Sequence, residues 1–542
     1  MRQATLLTTL VFSLLAAPAP GIANPSGPAA AANPAAAALS SPAVLLDPPA
    51  AAASNGPAAA TDPAPATAAP GNLVLASAAP AGDLDRTTSG WVRGRSTPDL
   101  RVYQGIPYAQ ATRWSPPTPP TPWPGIREAT QPGPVCAQPG PGGTVQGAED
   151  CLSLDVHRPQ GTDKLPVLVF VPGGGFTTGA GSQYNPARLA TRGNLLVVTL
   201  NYRLGALGFL AHPGLGPDTG NLGLQDQQAA LRWVRANIGA FGGDPARVTL
   251  WGQSAGGYSV CAHLSAPASQ GLFHQAAIHS APCANPMITR PEAQRRAQAT
   301  ATTLGCPDAT CLRDLPLSAL VGLHQDQLSL LRRDFNGRPW LPVTGTPTLP
   351  TPSHTARVPL LLGGTADEMA PFVAAQHRTL AAADYPTVVT GLFGEDAPAV
   401  LRRYPPQSQP TPALTLSRLL TDHGGVLGAC TQLPVAEAAR KPVYTFEFAE
   451  PTGHVVGDFP YGAAHGAELR YLLDLSWPQP PLTPAQQELA NRMIDHWSAF
   501  VRTGDPGWPQ HGPGRTMSFS AAHTGPIDLA ARHDCGFWSW LG

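Results

Sequence analysis

The sequence lacks an excess of charge of either sign. Its 34 Lys and Arg residues face 35 Asp and Glu residues, for a formal net charge of −1, and it contains no basic run. An electrostatic footprint for nucleic acid is therefore absent. No H-E-x-x-H occurs, and the 15 histidines show no clustered ligand spacing. Cys306 and Cys311 in "CPDATC" have no second ligand pair nearby, which argues against a zinc site. No internal repeat is present, and no cysteine precedes Cys136, so a lipid attached through an N-terminal cysteine is not available.

A nucleotide cradle is also missing. The stretch "VLVFVPGGGFTTGAG" (Val167–Gly181) ends an apolar run in three glycines, and without a Cβ their N–H groups can approach an anion closely. Gly174 and Gly179 have the separation of a Walker loop, but Ala180 stands in the lysine position. Thr178 occupies the place of the third glycine in G-x-G-x-x-G. An oxyanion hole is the other use of such a loop, and the rest of the chain has to supply a nucleophile for it.

What is present divides the chain into three parts. Residues 1–23 hold one arginine, an uncharged stretch from Ala4 to Ala17 and then small residues. That stretch is short for a membrane span and suits an export signal cleaved near Ala23, with an uncleaved anchor as the alternative. Residues 24–83 are almost entirely Ala, Pro, Gly and small polar residues, too poor in apolar surface to offset ordering entropy, and are expected to be a disordered linker. From Leu84 to Gly542 aromatic and aliphatic residues recur, enough for one large domain. Its eight cysteines form an even set, which in an exported protein favours disulfides.

Within that domain "LPVLVFVP", "LLVVTLN", "RVTLWG", "QAAIHS" and "VPLLLGG" read as strands buried on both faces. "LGLQDQQAALRWVRANIGAF" carries apolar residues at Leu224, Ala230, Leu231, Val234 and Ile238 and reads as a helix, as does "MIDHWSAFVRTG". The alternation predicts an α/β fold with a mainly parallel sheet covered by helices on both faces. In "RVTLWGQSAGGYSV" a strand ends at Gly252 and Ser254 follows on a G-x-S-x-G turn before a helix-compatible segment. This is the pattern of a nucleophile elbow, which projects a serine above the sheet. The motif is weak by itself; the preceding strand, following helix and earlier glycine loop give it context.

The long segment "NLGLQDQQAALRWVRANIGAFGGDPARVTLWGQSAGG" resembles the signature of type-B carboxylesterases, the α/β-hydrolase family of cholinesterases and bacterial p-nitrobenzyl esterases. "EDCLSLDV", "NYRLGALGF" and "GAAHGAEL" are similar to further family segments, in the family's order, from about Gly90 onward. The resemblance implies Ser254 as nucleophile, Glu368 in "GGTADEMAPF" as the acid and His465 in "GAAHGAEL" as the base. The chain order Ser, Glu, His is that of the α/β-hydrolases. Asp367, beside Glu368, is the alternative acid. The oxyanion donors fall on the backbone N–H groups of Gly174, Gly175 and Ala255. The resemblance also suggests the disulfides Cys136–Cys151, Cys306–Cys311 and Cys430–Cys535, which leaves Cys261 and Cys283 able to pair. Asp226, Arg235 and Asp244 sit in the signature as residues that hold helix ends and loops.

Three positions depart from the family. Pro172 precedes the glycines where His or Tyr is usual, Gln253 replaces the commoner Glu before the nucleophile, and Met369 stands where glycine usually follows the acid. The loop between Cys136 and Cys151 has no aromatic residue to bind a quaternary ammonium group, unless Trp114 or Trp340 takes that role. The expected function is a secreted or periplasmic hydrolase of neutral carboxylic esters that works through an acyl-enzyme. No cofactor or metal is implied, and the partner is a small-molecule ester. After signal cleavage no stable membrane span remains. Amide hydrolysis or transacylation would use the same triad, and a non-catalytic binding or adhesion module is the alternative from another class.

Overall fold

A computed structural model describes residues 83–542 except 162–163, 286, 324–330, 332–339, 352–356, 425 and 542. The expected signal peptide and all but the last residue of the expected linker lie outside the described residues.

An eleven-stranded sheet organises the rest. Its strands are β1 (Arg95–Ser96), β2 (Leu100–Pro107), β3 (Ser153–Pro159), β4 (Leu165–Val171), β5 (Leu196–Leu200), β6 (Gly243–Gln253), β7 (Gln275–His279), β8 (Leu360–Thr365), β9 (Val443–Phe448), β10 (Thr516–Phe519) and β11 (Thr524–Ile527). Their spatial order is β11-β10-β9-β8-β7-β6-β4-β5-β3-β2-β1. The strands from β10 through β5 run parallel. Antiparallel pairs finish both edges. The five apolar runs fall on β4, β5, β6, β7 and β8. All seven residues of β4 are buried, because helices cover both faces.

Strand alternation sorts the core into two layers. Val167, Val169, Val171 and Leu250 point to one side, with Leu224, Leu231 and Val234 of helix α1 (Leu222–Asn237) and Val260 of helix α2 (Ala255–Ser265). Leu168, Phe170 and Trp251 point to the other, against Leu489, Met493, Trp497 and Phe500 of helix α3 (Pro484–Thr503). Helix α3 starts nine residues before the predicted Met493. Its N-cap Thr483 accepts from the Gln486 N–H while the Gln486 side chain accepts from the Thr483 N–H, a capping box followed by a proline.

A buried ion pair ties two segments together. Asp226 on α1 accepts Arg203 Nε at 2.8 Å, Nη2 at 2.7 Å and the Arg203 backbone N–H at 3.0 Å, so its place in the signature is structural. Asp244 accepts from the Ala246 N–H at 2.9 Å and pairs with Arg247, while Arg235 is exposed on the outside of α1. All eight cysteines pair, as Cys136–Cys151, Cys261–Cys283, Cys306–Cys311 and Cys430–Cys535. The bond left open in the sequence joins helix α2 to the segment after β7.

The Cys430–Cys535 bond brings His533 into the interior, 0 % exposed. Its Nδ1 lies 2.7 Å from Asp422 Oδ1 and its Nε2 meets Glu447 on β9. Arg418 pairs with Asp422 at 2.8 Å, Arg532 with Glu447 at 3.1 Å, and Tyr404 donates its hydroxyl to Asp422 at 2.9 Å. Burial alone would lower the pKa of His533, but the two carboxylate hydrogen bonds outweigh it and raise it. A raised folded-state pKa contributes stability that is complete below about pH 6.5, the ordinary imidazole value, and is lost as pH rises through the folded-state value. His533→Gln is expected to cost about 3 kcal/mol at pH 6 and less at pH 9. Urea unfolding at both pH values checks it; a cost that does not shrink with pH would refute the linkage.

Candidate active site

Strand β6 ends at Gln253, and the chain reverses within one residue to begin helix α2. Ser254 sits at that point with φ 56° and ψ −124°, a conformation that a residue with a side chain rarely adopts. The turn closes because backbone packs on backbone. A Cβ on Gly252 would collide with the Gly256 carbonyl, and one on Gly256 with the Val171 carbonyl of β4. Ser254 N–H donates to the His279 carbonyl at 2.9 Å, which pins the turn to β7.

Strand pairing places the glycine loop alongside. Gly252 of β6 pairs with Val171 of β4, so Pro172–Gly175 leave the sheet beside Gln253–Ala255. A Cβ on Gly173 would lie 3.1 Å from that of Ser254 and 2.9 Å from Gln253 Oε1. Gly174 and Gly175 have φ of 116° and 63°, and the loop is anchored by Phe176, buried against Phe209. Gly174, Gly175 and the first residue of α2, Ala255, thus gather at the carboxyl ends of adjacent strands. Pro172 fills its departure from the family with backbone: its carbonyl accepts the Tyr202 hydroxyl at 3.0 Å.

The acid and base candidates come from the loops after β8 and β9. Glu368, 1 % exposed, places Oε1 on His465 Nδ1. Its other oxygen accepts from Thr365 N–H at 2.7 Å, Thr365 Oγ1 at 2.9 Å and Ser280 Oγ at 3.0 Å, three donors that complement a negative charge. Asp367 faces elsewhere. Its Oδ2 accepts the Ala463 N–H at 2.8 Å while its own N–H donates to the Ala463 carbonyl at 3.0 Å. Burial raises its pKa despite that hydrogen bond. Asp367 therefore fastens the His465 loop to the Glu368 loop, and Glu368 is the carboxylate brought to the imidazole. Met369 N–H donates to Thr421 Oγ1 at 3.0 Å, which holds the loop from the other side.

His465 is packed by the Phe372 ring, 5.4 Å between centroids, and its Nε2 lies 3.2 Å from Gln253 Nε2. In this conformation the imidazole meets Gln253 rather than Ser254. Ser280 and Thr365 are participants that sequence reasoning missed, and Gln253, visible in the sequence only as a departure from the family, is brought to the imidazole. Behind the turn, His279 joins Glu468 at 3.1 Å and accepts from Trp497 at 3.0 Å, a fully buried support that also had no periodic signal. Trp114 and Trp340 are buried, Trp114 donating to the Ala206 carbonyl at 2.8 Å. The Arg113 guanidinium already lies 5.9 Å from the Trp114 ring centroid.

The sheet order, the strand–turn–helix at Ser254 and the loops that converge on it define an α/β-hydrolase. Residues 84–524 match the model of the carboxylesterase family. The chain is 33% identical over 475 residues to fumonisin B1 esterase of Sphingopyxis macrogoltabida, covering 80% of this chain and 86% of that one. It is 34% identical over 459 residues to phenmedipham hydrolase of Pseudarthrobacter oxydans, covering 78% and 90%. Among solved structures a thermophilic PNB esterase superposes with a TM-score of 0.72 at 28% identity, covering 84% of this chain and 99% of that one. The chain belongs to the carboxylesterase family and is an ester-hydrolysing enzyme.

The backbone contact at the turn gives a direct test. Gly256→Ala forces α2 away from β4 and is expected to destabilise the fold by about 3 kcal/mol, with loss of activity. Chemical denaturation measures it; a variant within 0.5 kcal/mol of wild type, in order-of-magnitude terms, would show that the turn is looser than described.

Proposed function

We propose that this protein is an exported hydrolase of neutral carboxylic esters that works through a Ser254–His465–Glu368 triad. The observation that carries it is the Glu368–His465 pair, held by three further donors and set beside the strained turn that bears Ser254. Ser254 Oγ attacks the ester carbonyl carbon while His465 Nε2 takes the hydroxyl proton. Glu368 orients the imidazole and stabilises the cation formed. The carbonyl oxygen, now negative, is held by the N–H groups of Gly174, Gly175 and Ala255; one such donor is worth about 3 kcal/mol of barrier. The tetrahedral intermediate expels the alcohol, which leaves with the proton from His465. Water then attacks the acyl-serine by the same route and releases the acid. Hydrogen bonds of this kind often tighten only when substrate is bound, so the resting contact of His465 with Gln253 is compatible with the scheme.

Three features support a neutral alcohol part. Gln253 contributes no charge where the family commonly has Glu. The Cys136–Cys151 loop has no aromatic residue, and the face of Trp114 is taken by Arg113. Export is supported by the signal-like residues 1–23 and by four disulfides, the cysteine usage of an oxidising compartment. Among the described residues no helix is long and apolar enough to cross a membrane.

Ser254→Ala is expected to lower kcat for p-nitrophenyl butyrate by about 10⁴-fold or more while thermal unfolding stays within a few degrees of wild type. Retention of most of the wild-type kcat would eliminate the triad, and inactivity of the wild type itself would favour a binding module. Substrate charge is a separate matter. kcat/KM for butyrylthiocholine should not exceed that of its uncharged isostere, because a desolvated cation–π contact worth about 2 kcal/mol, roughly thirtyfold, is missing. A clear choline preference would contradict the assignment.

A further inference from the structure

The end of strand β6 and the turn after it deliver two side chains to the proposed catalytic centre, and the triad accounts for only one of them. The other is Gln253, 5 % exposed, whose carboxamide nitrogen lies 3.2 Å from His465 Nε2. The opposite ring nitrogen faces the Glu368 carboxylate, which can only accept. Nδ1 therefore carries the proton of the neutral imidazole and Nε2 carries its lone pair. Only the N–H side of the amide satisfies that lone pair, so Gln253 is the donor. This is the lone pair that must receive the Ser254 proton.

The surroundings are built to admit the amide. Gly173 leaves space at the Gln253 Oε1, where a Cβ would come within 2.9 Å. The first glycine of the triplet thus makes room for Gln253 instead of carrying an oxyanion donor. The other carboxylates close to the His465 loop are directed away from Nε2. Glu368 sits on Nδ1, Asp367 on the Ala463 amide, and Glu468 on His279.

We propose that Gln253 is a positioning residue that occupies His465 Nε2 in the resting enzyme, favours the neutral imidazole and yields that site to the Ser254 hydroxyl when acylation begins. The inference rests on the triad described above. An amide N–H aimed at Nε2 stabilises an unprotonated nitrogen and opposes a protonated one. A carboxylate in the same place would have the opposite effect. The resting hydrogen bond must also be exchanged before attack, which slows acylation at pH values where the base is already neutral.

The test is the pH dependence of kcat/KM for p-nitrophenyl butyrate from pH 5 to 9 in wild type, Gln253→Met and Gln253→Glu, each checked for a native circular-dichroism spectrum. In Gln253→Glu the acid limb should move up by about one pH unit, which lowers kcat/KM at pH 6 about tenfold. In Gln253→Met, similar in length but unable to donate, the limb should move the same way by less, and the alkaline plateau should rise about two- to tenfold as Nε2 is released. Methionine keeps the test alive if the glutamate variant fails to fold. Coincident acid limbs in wild type and a folded variant would overturn the role of Gln253, while loss of activity in Ser254→Ala would still leave the triad standing. Full activity in Ser254→Ala would remove both.

Discussion

Contact of backbone with backbone at the end of β6 is the constraint on which the site depends. Helix α2 can start one residue after the strand only because Gly252 and Gly256 bring main chain against main chain and against β4. That contact fixes three things together. It holds Ser254 at a φ of 56°, starts α2 beside the glycine loop, and sets that loop's height through the Val171–Gly252 pairing. The conformational cost at Ser254 is of order 1–3 kcal/mol and is sustained by the packed sheet around it. A loop-borne serine would have no such restraint.

The acid and base candidates are positioned by a second device, paired loops that staple one another. Asp367 and Ala463 exchange hydrogen bonds in both directions, so the segments bearing Glu368 and His465 are joined to one another. Met369 extends the staple to Thr421, the neighbour of Asp422 in the buried ionic group around His533. Glu447 of that group pairs across β8 with Gly364, four residues before Glu368. Polar networks of this kind are costly to bury and become rigid once every member is satisfied.

Much of the sheet was legible because its strands are unbroken apolar runs of the right length, and β4 to β8 were all found this way. The elbow was legible from spacing and context, and the family segments supplied the positions of Glu368 and His465. Other features were not legible, for identifiable reasons. Helix α3 was read from Met493 because its first turns are polar, although Thr483, Pro484 and Gln486 already spelled a capping box. Asp367 and Glu368 are chemically alike in sequence and are separated only by where the Ala463 amide falls. Trp114 reads as an available aromatic until its burial and the covering Arg113 are seen. The contact between Gln253 and His465 joins residues 212 positions apart, and no periodicity encodes it.

The bond between Cys430 and Cys535 spans 105 positions, and the segment it secures supplies His533 to a group that backs the Glu368 loop. Synthesis runs from N- to C-terminus, so Ser254 and its helix are made well before the residues that back the Glu368 loop. A chain interrupted between the two would carry Ser254 without the group that backs the Glu368 loop. The order of residues along the chain therefore makes the backing of the Glu368 loop one of the last contacts available, and ties the segment that supplies it to the oxidation of two thiols.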